Sequence, residues 1–151
     1  MRSKTAMWFE CKIRYEKVME DGTPKKVNEV YVIDALSFSE AEERIIEEMS
    51  SHISGDVELV DVKIAPYREI FFADSDLAEQ WFKVKVAFIT FDERTGREKR
   101  TSVMYLVNAG NINSAIKNID EIMGSTMIDY VTTAISATKI FDVFEYKKKE
   151  C

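Results

Sequence analysis

The chain is poor in the residues that break or staple a fold. In 151 residues there are only two prolines, five glycines, two cysteines and one histidine. Few prolines and glycines argue against a long disordered linker. Two cysteines, Cys11 inside a strand pattern and Cys151 at the last position, make no disulfide framework, and their spacing is no zinc signature. No run of about 18 apolar residues occurs, which argues against a membrane-spanning helix. The opening MRSKTAMWFECK lacks the apolar segment of a signal peptide. These absences together favour a reducing cytoplasm. A strongly basic character is also missing. The net charge is −6 and the sequence pI about 5.0, which excludes a broadly basic nucleic-acid binder but leaves room for a local basic stripe.

What remains is 46% hydrophobic and 32% charged, at a length close to one ordinary domain. It also repeats itself. Trp8-Phe9 recurs as Trp81-Phe82, Lys12 as Lys85, Gly22 as Gly96, and Lys25-Lys26 as Lys99-Arg100. Tyr31 and Ala35 return as Tyr105 and Ala109. Ala41, Ile45 and Met49 return as Ala115, Ile119 and Met123. After a slip of two residues, Lys63-Ile64 matches Lys139-Ile140. Such sustained register points to duplication, and two copies are too few for a solenoid.

Each copy reads alike by periodicity. Phe9, Cys11, Ile13 and Tyr15 alternate with Trp8, Glu10, Lys12 and Arg14; Phe82, Val84, Val86 and Phe88 alternate with Trp81, Lys83, Lys85 and Ala87. One face of each strand is therefore for the core. Asp21-Gly22 and Thr95-Gly96 supply the positive-φ residue of a hairpin turn. EVYVIDA and VMYLVNA return. A helix follows, with Ser39 and Glu42 as a capping box in the first copy and Asn113 as the N-cap in the second. Its buried stripe lies at i, i+4, i+8, and its outer face in the first copy is acidic: Glu40, Glu42, Glu43, Glu47 and Glu48. Strand-like runs close each copy, DVELVDVKIA with YREIFF, and VTTAISATKI with DVFEY.

Catalytic and metal signatures are absent. His52 has no evident nucleophile or acid partner, and one histidine with two distant cysteines cannot supply three metal ligands. SGDVE is too short of carboxylates for a calcium loop. The scattered glycines form no phosphate loop, and no nucleophile elbow or kinase or deaminase signature occurs. The expectation is a protein that is not an enzyme and holds no cofactor and no metal.

The second face of the first strands is more suggestive. Trp8, Lys12 and Arg14 share it, as do Trp81, Lys83 and Lys85, while Lys25, Lys26, Arg94, Arg97, Lys99 and Arg100 flank the same hairpins. A ring that stacks on a base beside cations that meet phosphates is what a single-stranded nucleic-acid platform needs. The competing explanation is structural: lysine stems cover apolar surface while their heads stay wet, and a tryptophan at a strand start closes a core edge. Read from the middle of the chain, the order of two strands, two strands and helix resembles the whirly and Pur-type single-strand-binding folds, permuted; that is fold-level analogy. The alternative is a protein-interaction module, a homodimer built through strand edges or aromatic patches.

WFECKIRYEKVMEDG, DALSFSEAEERIIEEM, YREIFF, WFKVKVAFITFDERTGREK and TKIFDVF together resemble a family of unknown function from Bacteroidetes and their crAss-like phages, over about residues 8–146. The resemblance implies a small intracellular protein and gives no residue a role; the phage occurrence favours nucleic-acid metabolism or host interaction. The expected architecture is α+β: two strand-strand-helix-strand(-strand) repeats, 8–72 and 81–146, joined by a connector at 73–80 and followed by a basic tail at 147–151, forming one pseudo-twofold domain with antiparallel sheet packed on two helices. The candidate nucleic-acid site is Trp8, Lys12, Arg14, Trp81, Lys83, Lys85, Lys99 and Arg100.

Overall fold

A computed structural model describes residues 2–74 and 77–146; the proposed tail at 147–151 lies outside the described residues. The elements run β1 (Arg2–Lys4), β2 (Trp8–Val18), β3 (Pro24–Asp34), α1 (Phe38–Ser50), β4 (Val57–Ile64), β5 (Glu69–Phe72), β6 (Gln80–Asp92), β7 (Arg97–Ala109), α2 (Ile112–Gly124), β8 (Asp129–Ala137) and β9 (Ile140–Phe144). The class is α+β, with two helices and two sheets. The chain divides into two compact units. We call Ala6–Ala65 with Lys139–Cys151 the early unit, and Met1–Thr5 with Pro66–Thr138 the late unit.

The early unit is a four-stranded sheet ordered β4-β2-β3-β9. Its spine is the β2–β3 hairpin, antiparallel from Trp8 opposite Asp34 to Val18 opposite Pro24. Gly22 takes φ +84° in the connecting turn, a conformation that side chains with a Cβ rarely adopt. On the inner face Phe9, Cys11, Ile13, Tyr31 and Ile33 pack against Ala41, Ile45 and Met49 of α1. That stripe recurs every four residues, so one side of a 3.6-residue helix meets one side of a period-2 sheet.

The late unit is a five-stranded sheet ordered β1-β5-β7-β6-β8. The β6–β7 hairpin runs from Gln80 opposite Ala109 to Asp92 opposite Arg97, and Gly96 takes φ +68° in its turn. Phe82, Val84, Val86, Tyr105 and Val107 pack on Ala115, Ile119 and Met123 of α2. Both sheets carry a register shift in the strand pair on the far side of the hairpin, at Lys12/Ile13 and at Lys85/Val86. In the late unit the Thr133 hydroxyl donates to the Lys85 carbonyl at 3.3 Å beside this bulge.

Three details depart from the expectation. First, the sheets are mixed rather than purely antiparallel. β9 pairs in parallel with β3, and β5 pairs in parallel with β7, so the closing strand after each helix does not fold back on its sequence neighbour. Second, each helix begins two residues early. Ser37 and Asn111 are the N-caps, accepting from the backbone N–H of Glu40 and Ser114 at 3.1 and 2.8 Å. Ser37 and Glu40 fit the same spacing as Ser39 and Glu42; the earlier start sets the Phe38 ring edge-on to Phe9 at 5.1 Å and pairs Glu40 with Arg44 one turn on. Third, VTTAISATKI is not one strand: β8 ends at Ala137 and β9 begins at Ile140. The short β1, opposite Ile70–Phe72 of β5, carries no periodicity long enough to read.

Cys11 is fully buried and unpaired. Burial, with repulsion from Glu10 and Asp61, pushes its thiol up to about 12 from an ordinary 9.0. The folded state thus favours the protonated thiol. That contribution to stability is complete below pH 9 and is lost as pH rises from about 9 towards 12. In urea melts across this window the Cys11→Ala variant should lose less stability per pH unit than the parent, by up to ~1.4 kcal/mol per unit. An identical slope in the two proteins would show that Cys11 is not sequestered.

Candidate nucleic-acid interface

The eight candidate residues fall into two environments. Trp8 and Trp81 are 1% and 5% exposed. Trp81 meets Phe72 of β5 edge-on, with ring centroids 5.5 Å apart, and its carbonyl accepts from the N–H and hydroxyl of Thr138 at 3.0 and 2.7 Å. The Trp8 carbonyl accepts from the Ala65 N–H at 2.8 Å in the same way, and its buried indole N–H has no hydrogen-bond partner among the described residues. Neither ring is open to a stacking base. Lys12, Lys83, Lys85, Lys99 and Arg100 are exposed and Arg14 is half-buried.

The reason lies at the far end of each hairpin. Residues 31–35 and 105–109 are buried without interruption, although their side chains alternate between faces. Both faces are covered there, and Trp8 and Trp81 lie opposite Asp34 and Asn108 in those runs. Asp34 and Asn108 are buried polar residues, and each is held. The Tyr146 N–H donates to the Asp34 carboxylate at 2.7 Å, and Arg44 donates to the Asp34 carbonyl at 2.5 Å while stacking on the Tyr146 ring at 3.9 Å. Asn108 donates to the carbonyls of Ala78 and Gln80 at 3.0 and 2.9 Å. The signal for this closure was available in the sequence: YVIDA and YLVNA are near-continuous apolar runs, which strands covered on both faces require.

The cations also divide. In the early unit Lys12 lies opposite Asp61, Arg14 opposite Glu58, and Glu10 opposite Lys63, the last pair 3.9 Å apart. The Arg14 Nε also donates to Asn28 at 3.0 Å. That outer face is a cross-strand ladder of opposite charges. In the late unit Lys83 lies between Leu106 and Ser136, and Lys85 between Met104 and Ala134. Neither lysine faces a carboxylate on a neighbouring strand. Arg100 lies opposite Ile89, on the same face as the two lysines; Lys99 lies opposite Thr90 and faces the other way. One exposed aromatic shares the lysine face: Phe91, 65% exposed and two residues beyond Ile89. Sequence reasoning passed it over because it sits at the hairpin tip. The carboxylates on this face are Glu98, opposite Phe91, and Asp129, opposite Ile89. Among the described residues no cluster of three or more His, Cys, Asp or Glu side chains is arranged to hold a metal, and no helix is long and apolar enough to cross a membrane.

The fold thus presents an α+β protein with one sheet face whose cations lie opposite acids and one whose Lys83 and Lys85 do not. Residues 7–146 match the family described as Domain of unknown function (DUF4494), and the chain belongs to that family. No curated protein matches it, and no solved structure does.

Buried tryptophans have two measurable consequences. Native fluorescence should be blue-shifted and resist iodide quenching. Trp81→Ala should cost about 3–5 kcal/mol in denaturant melts. Free quenching, with a loss below ~0.5 kcal/mol, is the result expected of a surface ring.

Proposed function

We propose that the chain is a non-enzymatic binding protein, built by internal duplication with pseudo-twofold symmetry, that takes single-stranded nucleic acid on the outer face of the late unit. The duplication is supported by the shared order of hairpin, helix and edge strand, by the matching bulges, and by closing strands that pair in parallel in both units. The observation that carries the binding reading is that Lys83 and Lys85 face Ser136 and Ala134, where the early unit sets Asp61 and Glu58 against its cations. Unneutralised cations are available to phosphates. In this reading the stacking ring is Phe91, and Trp8 and Trp81 act as core residues that set the hairpins in place. Lys12 and Arg14 contribute little, because their charge is already answered. With a net charge of −6, attraction is local and confined to low ionic strength. The same proposal places the chain in a reducing cytoplasm, and an origin among Bacteroidetes and their crAss-like phages agrees with a role in nucleic-acid metabolism.

Anisotropy titrations with a labelled oligothymidine test this. Binding at low salt should weaken steeply as salt rises. Lys83→Ala with Lys85→Ala should reduce it, Phe91→Ala should cost about 1–3 kcal/mol, and Lys12→Ala with Arg14→Ala should change it little. No binding at low salt rejects the reading.

A second reading, a homodimer, is favoured by β8. This nine-residue strand forms one edge of the late sheet, and residues 130–138 contain no charge and no proline. The corresponding edge strand β4 carries Glu58, Asp61 and Lys63. An uncharged edge is open to pairing with a second copy. Light scattering should then give twice the chain mass, returned to a monomer by Ala134→Lys. A monomer at all concentrations rejects it.

A further inference from the structure

The early unit holds a cleft of about 470 Å³ on the inner face of its sheet, towards the hairpin turn and beside the last turn of α1. Four rings and two carboxylates define it: Tyr15, Tyr31, Phe141, Phe144, Glu29 and Asp142. The Tyr31 ring lies nearly parallel to Phe144, with centroids 5.3 Å apart, and tilted against Phe141 at 5.7 Å. The Tyr31 hydroxyl donates to Glu29 at 2.8 Å, and burial together with the Glu29 carboxylate raises the Tyr15 phenol above its ordinary value. Phe141 stays 60% exposed.

The charges along the cleft are mixed, with the acids outnumbering the cations. Glu16, Glu29 and Asp142 line it, with Lys17 and His52 as the opposing side chains. His52 is answered by Glu48 at 3.6 Å, and Lys17 lies opposite Lys25 at the turn. No Lys or Arg pairs with Glu29 or Asp142 among the described residues. The C-terminal end of α1 adds partial negative charge, and its last turn has no basic residue. Lost hydration and repulsion from Glu48 raise the Asp142 carboxyl above its ordinary value, against a lowering hydrogen bond from the Val143 N–H.

The late unit supplies the comparison. Tyr105 lies opposite Glu69 as Tyr31 lies opposite Asp142. The residue before Glu69 is Arg68, whose charge acts on the Tyr105 phenol; the residue before Asp142 is Phe141. One unit has a built-in guanidinium beside its tyrosine and carboxylate. The other has a ring and an open cleft.

We infer that this cleft binds an organic cation, an ammonium group bearing methyl or other alkyl substituents, with Tyr15, Phe141 and Phe144 around the substituents, the buried Tyr31 backing them, and Glu29 and Asp142 balancing the charge. Rings favour such weakly hydrated cations through their negative faces. A bare metal ion would instead need a set of oxygen, nitrogen or sulfur ligands, which the rings do not offer. The site is separate from the cationic face of the late unit and does not depend on it.

The test is a nuclear magnetic resonance titration of the full chain with tetramethylammonium chloride. Sodium chloride controls for ionic strength and tert-butanol for neutral shape. Saturable shifts should centre on residues 29–31 and 141–144. Asp142→Asn, Glu29→Gln and Phe141→Ala should each weaken binding, by about tenfold for the charge variants. The same spectra report whether each variant keeps its fold. Equal binding of tert-butanol, no saturable shift at the cleft, or unchanged affinity in folded Asp142→Asn and Phe141→Ala would overturn the proposal.

Discussion

Everything else in the structure depends on a narrow contact: three helix residues spaced by four, against one face of a long hairpin. Ala41, Ile45 and Met49 make it in the early unit, and Ala115, Ile119 and Met123 in the late one. A contact this short covers only part of each hairpin. The strands run on past the helix as exposed ribbons towards Gly22 and Gly96, whereas the opposite ends are covered on both faces. Each hairpin is therefore closed at its tryptophan end and open at its turn end.

The two units share a plan and differ in how they use charge. In the early unit the outer sheet face sets acids opposite its cations across strands, α1 carries glutamates on its outer side, and Glu29 and Asp142 sit among rings at the hairpin end. In the late unit the outer face keeps its lysines unanswered, while an arginine supplies the cation beside Tyr105. The overall charge of −6 hides this division.

Much of the framework was legible in the sequence because it is local. Period-2 alternation named the inner faces of β2 and β6, the glycines of positive φ marked both turns, and the stripe at i, i+4, i+8 named the buried side of each helix. What was missed is non-local or degenerate. Parallel pairing of β5 and β9 leaves no mark within strands of four and five residues. Ser37 and Ser39 both fit a capping pattern, and only the packing of Phe38 on Phe9 decides between them. The tryptophans were the instructive case. Alternation correctly puts Trp81 on the side of Lys83 and Lys85, but it cannot say whether that side is wet at every rung. It is wet at the lysines and dry at the tryptophan, and the unbroken runs YVIDA and YLVNA on the facing strands were the sign of it. Of the candidate site, Lys83, Lys85 and Arg100 share an open face, Lys99 faces away, Lys12 and Arg14 are answered by acids, and the two tryptophans belong to the interior.

The central claim is that each hairpin is closed at one end and open at the other, and residue-resolved amide hydrogen exchange tests it most directly. The account predicts the slowest exchange at the strand-paired amides within residues 8–9, 31–34, 81–82 and 105–109, at or near the global unfolding limit, with protection falling along each strand towards residues 16–26 and 89–100. Uniform protection along the hairpins, or fast exchange around Trp8 and Trp81, would contradict it.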